Sequence, residues 1–252
     1  MSGTRAPLSV TLIALNAERS LAAALDSVRF ADEILVVDSG SSDATAEIAL
    51  AHNAIVIRQP WLGYGPQKQF AVNAASHDWV LCIDADEAVS PALRQSIEAA
   101  LAAPHADGFA FARCNRFLGR WLRHGEGYPD WSVRLFDRRH ARWSDDPVHE
   151  RVITTRPVAR LAGDLLHDSA ETLTSYLAKQ DRYVALQADA LRDRGPIANI
   201  GSMIGSPVVR FVKFYFLRAG FLDGWAGLVH IAIGCRNSFL KYRNALFGAP
   251  RT

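Results

Sequence analysis

The stretch Asp78-Trp79-Val80-Leu81-Cys82-Ile83-Asp84-Ala85-Asp86-Glu87 runs an apolar segment straight into three acids, and it constrains the fold more than any other part of the chain. An apolar strand buried on both faces shows polarity only at its ends, so carboxylates placed there project from the rim of a sheet. Side chains repeat every two residues along an extended segment. Asp84 and Asp86 therefore point the same way and can offer oxygen ligands to one hard divalent cation. Acids after a strand are also ordinary turn and cap residues, so the triplet has to be weighed with its surroundings.

Upstream, strands alternate with helices. Leu8–Leu15 is apolar and ends at Asn16, and a helical pattern through Leu21, Leu25 and Val28 follows. Glu33–Val37 is a second apolar run, ending at Asp38 and the turn Ser39-Gly40-Ser41-Ser42, where Ser42 or Asp43 is placed to cap a helix over 44–52. Residues 54–57 read as a third strand and 67–75 as a helix after a glycine-containing loop. This alternation predicts an α/β fold, a Rossmann-like, mostly parallel sheet flanked by helices. Ligands bind such sheets at the carboxyl ends of the strands, where Asn16, Asp38, Asp84 and Asp86 all fall. Asp38 suits a base or ribose, with capping of its own turn as the plain alternative. Lys68 is placed to reach a phosphate or to be a solvated helix lysine.

Downstream, Ser90-Pro91 starts a helix to about residue 102, and residues 108–114 read as a strand. Residues 117–128 read as a loop. Trp131–Asp137 and Ala141–Ser144 are expected to form an antiparallel hairpin added to the sheet. Asp145-Asp146-Pro147-Val148-His149-Glu150-Arg151 follows, where a zinc-protease helix would need a histidine four residues after His149 but has Ile153. Leu161–His167 reads as the last strand, and a helix is expected over 172–192, broken at Gly195-Pro196.

The 252 residues can bury a substantial core, and the expected division is a catalytic domain over 1–170 and a helical region over 171–252. From Gly201 on, Arg210, Lys213, Arg218, Arg236, Lys241, Arg243 and Arg251 face Asp223 alone, a balance of +6 in a chain whose net charge is +2. The rest therefore carries −4, and the tail is matched to something anionic. Arg210 and Lys213 share a helical face among Val and Phe, the pattern of a helix lying in a membrane interface; a dimer contact is the other reading. Three dispersed cysteines fit a reducing compartment, and Met1–Ser9 does not resemble a secretory signal. No run of roughly 18 residues is free of charge, so no span is expected. The expected location is cytoplasmic, peripheral on the cytoplasmic face of the inner membrane.

Asn16, Asp38 and Asp84-Ala85-Asp86 at successive strand ends resemble the family 2 glycosyltransferases of the GT-A fold, through Val10–Glu18, Ile34–Thr45 and the Asp78–Glu87 stretch. Gln67-Lys68-Gln69, Trp131–Phe136, Val148-His149-Glu150, His167 and Gly220–Gly224 are similar to the lipopolysaccharide core β-1,4-glucosyltransferase branch. The resemblance implies that Asp38 holds the base, Asn16 and Glu18 lie near the nucleoside, and Lys68 lies beside the nucleotide. It places Asp84 near the ribose and metal, and Asp86 on a Mg²⁺ or Mn²⁺ that bridges the diphosphate, with His167 completing that shell. Inverting transfer needs a carboxylate to take the acceptor proton. Glu150 is assigned that part with Asp146 as alternative, and His149, Trp131 and Arg134 go with the acceptor or a phosphate. Where this family often carries an acidic pair, this chain has His149-Glu150. The implied reaction moves a hexose, with UDP-glucose the expected donor, to a lipopolysaccharide core or other glycolipid acceptor. The residues themselves do not choose between UDP-glucose, UDP-galactose and other donors.

Two rivals remain at this point, and no nucleic-acid partner is expected. A sugar-nucleotide nucleotidyltransferase would need a glycine-rich loop after the first strand, where this chain has Asn16-Ala17-Glu18. A non-catalytic, membrane-peripheral nucleotide-sugar binder is the other. Oligomeric state is left open.

Overall fold

A computed structural model describes residues 5–146, 150–168, 172–189, 191 and 196–248. The chain divides into two compact units, one of residues 1–113 and 130–169, the other of 114–129 and 170–252. The loop-like stretch after residue 113 thus belongs with the C-terminal helices.

The first unit opens with β1 (Leu8–Ala14), α1 (Leu21–Ser27), β2 (Glu33–Asp38), α2 (Thr45–Ala51), β3 (Ile55–Arg58), α3 (Tyr64–Ala74) and β4 (Trp79–Asp84). It continues with β5 (Glu87–Val89), α4 (Pro91–Ala102) and β6 (Gly108–Phe117). The short β7 (Arg120–Trp121) lies in the second unit, and the remaining strands of the first are β8 (Asp130–Asp137), β9 (Ala141–Trp143), β10 (Val152–Thr154) and β11 (Val158–His167). The sheet order is β3-β2-β1-β4-β8-β6-β11-β5. Strands β3, β2, β1 and β4 are parallel, as their continuous apolar sequences require, and β8, β6 and β5 add antiparallel pairings. The α/β fold class read from the sequence is the one observed, with the site on the parallel half.

Several local expectations change. Helix α3 begins at Tyr64 rather than Gln67, with Gly63 in a positive-φ conformation before it. Neither Ser42 nor Asp43 stands at the cap of α2, where Ala44 sits, although Asp43 accepts the Thr45 amide at 3.0 Å. The expected Trp131–Asp137 and Ala141–Ser144 hairpin does not form: β8 pairs with β4 and β6, and β9 pairs with β10 in a separate two-stranded sheet. The turn Arg138-Arg139-His140 allowed a hairpin, but β8 is taken on its two sides by β4 and β6, which leaves β9 to pair with β10 while Phe136 packs with Ala141 and Trp143 in one apolar cluster.

The core packs Leu8, Val10 and Leu12 of β1 with Leu81, Ile83, Leu93, Ile97, Phe109 and Leu135. Ser90 does two jobs here. Its hydroxyl accepts the Leu93 amide that starts α4 and the Asp164 amide of β11. Gly163 beside it has φ +95°, and a Cβ there would meet the Leu93 backbone at 2.3 Å, so the close approach of β11 to α4 needs glycine.

The second unit contains α5 (Leu173–Asp189), α6 (Pro196–Phe211), a π-helical continuation Val212–Leu217, a 3-10 turn Gly220–Asp223 and α7 (Gly224–Phe247). Asp223, the lone acid of the basic tail, is buried and accepts the Arg123 amide at 3.1 Å, the His124 amide at 2.9 Å and His124 Nδ1 at 2.9 Å. One carboxylate therefore fixes the 114–129 segment to the helices.

Candidate active site

The carboxyl ends of β1 and β2 are laced together by short polar side chains. Asn16, at φ 50°, gives its amide to Ser41 Oγ and takes the Ser42 amide on Oδ1, both at 2.9 Å. Glu18 takes the Ala44 amide at 3.2 Å. Asp38 is buried and accepts the Ser41 amide at 3.1 Å, so it caps its own turn as well as closing β2. These residues build one continuous rim.

Three consecutive residues of α3 extend that rim in three directions. Gln67, fully buried, holds Ser39 and the Gln59 carbonyl through Nε2 and the Leu62 amide through Oε1. Gln69 accepts the Trp143 amide at 2.8 Å and so ties α3 to β9. Lys68 is only 5% exposed in its side chain, so it is not a solvated helix lysine. Its ammonium lies 2.8 Å from Glu150 Oε1, 3.1 Å from Asp84 Oδ1 and 4.9 Å from the centre of the Trp143 ring.

Asp84 shares a second cation, Arg134 of β8, whose Nη2 lies 3.2 Å from Asp84 Oδ2 and 3.5 Å from Glu87 Oε1. Burial would push the Asp84 carboxyl up, but the charges of Arg134 and Lys68 outweigh it and hold the group well below the usual carboxylate range. Arg134 is in turn held firmly charged: burial works against it, and Glu87 and Asp84 overcome that. Its Nε and Nη1 find no hydrogen-bond acceptor among the described residues, yet its guanidinium sits over the Trp143 ring, with the carbon 5.5 Å from the ring centre. Trp143 thus contacts two buried cations through its ring and donates its indole N–H to Cys82 Sγ.

Glu87 is the member of this cluster that spacing did not single out. It is fully buried, takes the Asp84 amide at 2.9 Å and balances Arg134 and Arg113. The available signal was a third acid directly after the Asp84-Ala85-Asp86 triplet, which β5 turns inward.

Asp86 faces the other way from Asp84 in its contacts. Its Oδ2 lies 3.3 Å from His167 Nε2, and β11 brings that histidine into register with Glu87. Of the three side chains expected on a metal, Asp86 and His167 are therefore together, while the Asp84 carboxylate is engaged by Lys68 and Arg134. One carboxylate oxygen and one imidazole nitrogen form a donor pair that suits Mn²⁺ or Mg²⁺ and leaves positions for phosphate oxygens. Among the described residues, the group of three that converges within 4.8 Å is a different one: Asp107, Asp137 and His140. It sits at the opposite end of β4, where Trp79 pairs with Asp137, and Asp137 already binds Arg139 through both oxygens. A cavity of about 750 Å³ lined by Arg29, Asp32, Glu33, His52 and His77 also lies at the amino ends of the strands. Neither reaches the rim.

Glu150 is positioned by the β9–β10 pair. Ser144 gives its amide to the Arg151 carbonyl at 2.8 Å and its hydroxyl takes the Arg151 amide at 3.1 Å, closing the loop that carries the acid. Gly65 allows α3 to approach it, since a Cβ there would meet the Ser144 carbonyl oxygen at 2.1 Å. Asp146 is half-buried on the other limb of the loop, and His149 lies outside the described residues. Trp131, 40% exposed, stands at the start of β8 with the Arg160 guanidinium 4.5 Å over its ring.

The sequence model for glycosyl transferase family 2 matches residues 9–161, which covers β1 through the start of β11 and every one of these side chains except His167. The chain belongs to glycosyltransferase family 2. Along almost its whole length, this glycosyltransferase is 30% identical to the lipopolysaccharide core biosynthesis glycosyltransferase LpsC of Rhizobium meliloti, over 97% of this chain and 95% of that one. An uncharacterised glycosyltransferase of Rickettsia typhi is 30% identical over 93% of this chain and 85% of its own. Among solved structures, the glucosyl-3-phosphoglycerate synthase of Mycobacterium tuberculosis in complex with Mg²⁺ and uridine diphosphate is similar at 24% identity, covering 53% of this chain and 57% of that one with a TM-score of 0.40.

Proposed function

We propose that this glycosyltransferase moves a hexose, with inversion, from a nucleotide diphosphate sugar to a lipid-linked saccharide of the lipopolysaccharide core type at a membrane surface. UDP-glucose is the donor to test first. The observation that carries the reading is the Asp84–Lys68–Glu150 bridge, which joins the nucleotide rim at the end of β4 to the loop after β9. Relationship to a lipopolysaccharide core enzyme over nearly the full length supports the acceptor class.

In this reading the base and ribose lie along Asn16, Glu18 and Asp38, and the diphosphate lies near Asp86 and His167. Those two side chains would hold Mg²⁺ or Mn²⁺, which when bound would neutralise charge on the departing diphosphate. Asp84 anchors Lys68 and Arg134, so two cations stand preorganised beside the leaving group and need no rearrangement as its charge grows. Glu150 takes the proton from the acceptor hydroxyl. It is preferred to Asp146 because Lys68 fixes its carboxylate relative to Asp84. Trp131 and His149 remain assigned to the acceptor or a phosphate, and Arg134 to a phosphate.

The test is Glu150→Gln, assayed with a panel of nucleotide sugars and an extracted core acceptor. Transfer should fall about 10²- to 10⁴-fold, the usual worth of a general base, with donor binding retained. Near-normal turnover would remove Glu150 from the role, and the anomeric configuration of the product, read by NMR, decides inversion.

A further inference from the structure

The outer surface of α6 and its continuation is mostly apolar, with Lys213 exposed among its Val and Phe side chains. Over Ile200–Leu217 the mean hydropathy is 1.2, and none of the window is buried. Ile204, Val208, Val209, Val212, Phe216 and Leu217 are all exposed, Leu217 to 78%. Among the described residues, a Cβ on Gly201 or Gly205 would meet nothing within 4 Å. The corner that follows adds exposed Phe221, Leu222 and Trp225. Contiguous apolar surface of this extent marks a contact site rather than scattered exposure.

The opposite side of the same helix is polar and occupied. Arg210 donates through Nε to Glu126 at 2.9 Å and through Nη1 to Ser238 of α7 at 3.0 Å. Gly234 of α7 makes room for that pair, because a Cβ there would lie 2.7 Å from Arg210 Nε and 2.5 Å from Glu126 Oε2. Arg210 is therefore not one of the outward cations that its spacing from Lys213 implied; the cations left facing out are Lys213 and Arg218.

This two-sidedness decides between crossing a bilayer and lying on it. The window is long enough to cross, roughly 27 Å at the helical rise. Crossing, however, would carry Arg210, its partner Glu126 and the segment holding Arg120, Arg123 and His124 into hydrocarbon, where each charge is costly. Lying flat buries only the apolar face and leaves Lys213 and Arg218 at headgroup level, with Trp225 as an interfacial ring. The +6 balance of residues 201–252 gives the bilayer its sign.

We infer that α6, its π-helical continuation and the Phe221–Trp225 corner form a monotopic docking surface for an anionic lipid bilayer, lying in the interface and not spanning it. The inference deepens the reading of a membrane-borne acceptor and rests on it for purpose, but its test uses neither acceptor nor nucleotide.

The full chain is floated with vesicles of phosphatidylglycerol and phosphatidylcholine, or of phosphatidylcholine alone. It should float with the anionic vesicles and be released by alkaline carbonate. Ile204→Asp/Val208→Asp/Leu217→Asp should cut the bound fraction at least about tenfold, since each buried apolar side chain is worth on the order of tenfold. Lys213→Glu/Arg218→Glu, which leaves the apolar face intact, should weaken binding only to anionic vesicles. Both variants must keep the native circular dichroism and melting transition; should the triple variant unfold, the charge variant and a nitroxide at position 208, read for bilayer depth, carry the test. Carbonate resistance would show a span and overturn the inference. So would equal binding by the variants, or a lipid-free dimer, seen by sedimentation, that Ile204→Asp dissociates. Flotation without sugar transfer would instead sink the acceptor reading alone, and transfer without flotation the docking surface alone.

Discussion

The two ends of β4 carry acids in comparable number and differ in what answers them. At the amino end, Asp107, Asp137 and His140 converge closely enough to suggest a metal, yet Arg139, a neighbour in sequence and 59% exposed in its side chain, already satisfies Asp137. At the carboxyl end, about 16 Å along the strand by its rise, the acids are met by Lys68 from α3 and Arg134 from β8. Those cations are nearly buried and come from elements far apart in sequence. Convergence of carboxylates measures local crowding, whereas buried cations recruited from several elements have a solvation cost that a functional arrangement has to justify.

The largest effect should separate the two ends by activity. Asp86→Ala, which removes half of the Asp86–His167 pair, should lower transfer by 10²-fold or more, on the order seen when a charge-stabilising group is lost. His140→Ala, at the other end, should leave turnover within about twofold, as surface changes away from a site usually do. A manganese titration of both proteins checks it: loss of metal-dependent turnover in His140→Ala, and not in Asp86→Ala, would reverse the assignment of the ends.

Next in size is stability. Lys68→Met leaves Asp84 and Glu150 facing each other without the ammonium between them, and breaking a buried pair costs roughly 3–5 kcal/mol. For a chain of this length that lowers the melting midpoint by on the order of 10 °C. Arg139→Met should lower the midpoint by less, because the Arg139 guanidinium is exposed and the Arg139 amide still donates to the nearly buried Asp137. Equal shifts would mean that the Lys68 cluster is no more than another surface ion pair.

Much of this was legible in the sequence, and the part that was not has a physical reason. Continuous apolar runs announce β1, β2 and β4, and Ser90-Pro91 announces α4, because those signals are local. Strand order is not local. The choice of β10 over β8 as the partner of β9 depends on which face of Phe136 and Trp143 each strand can bury. Lys68 reads equally as a phosphate contact or a solvated helix lysine until β9 and β10 deliver Glu150 to it, and Glu87 reads as a turn acid until β5 faces it toward Arg134. The tail shows the same limit: a three-residue spacing puts Arg210 and Lys213 on one face, but Glu126, from another part of the chain, takes Arg210 inward. Local pattern located the charges; only tertiary pairing says which of them remain available.

The smallest effect is the pH dependence of stability, and it distinguishes the ends by screening. Burial raises the Asp84 carboxyl, and Arg134 and Lys68 more than reverse this; burial raises Asp137, and Arg139 reverses it. Both folded-state values therefore lie below that of the unfolded chain, near 3.9. A group depressed on folding contributes stability that is complete above the unfolded value and is lost as pH falls through the folded one. Wild-type stability should therefore decline as pH drops below about 4, and either Asp84→Asn or Asp137→Asn should flatten that decline. Salt then separates them. At about 1 M the Debye length is roughly 3 Å, so the charge of the exposed Arg139 favours the Asp137 carboxylate less and that variant's difference from wild type shrinks toward what the hydrogen bonds from Arg139 leave. The Asp84 effect persists, because Lys68 and Arg134 are shielded from salt by the protein around them. Urea midpoints across pH 2–6 at low and high salt would measure it, and an Asp84 contribution that salt abolishes would show its cations to be solvated and the two ends of β4 to be alike.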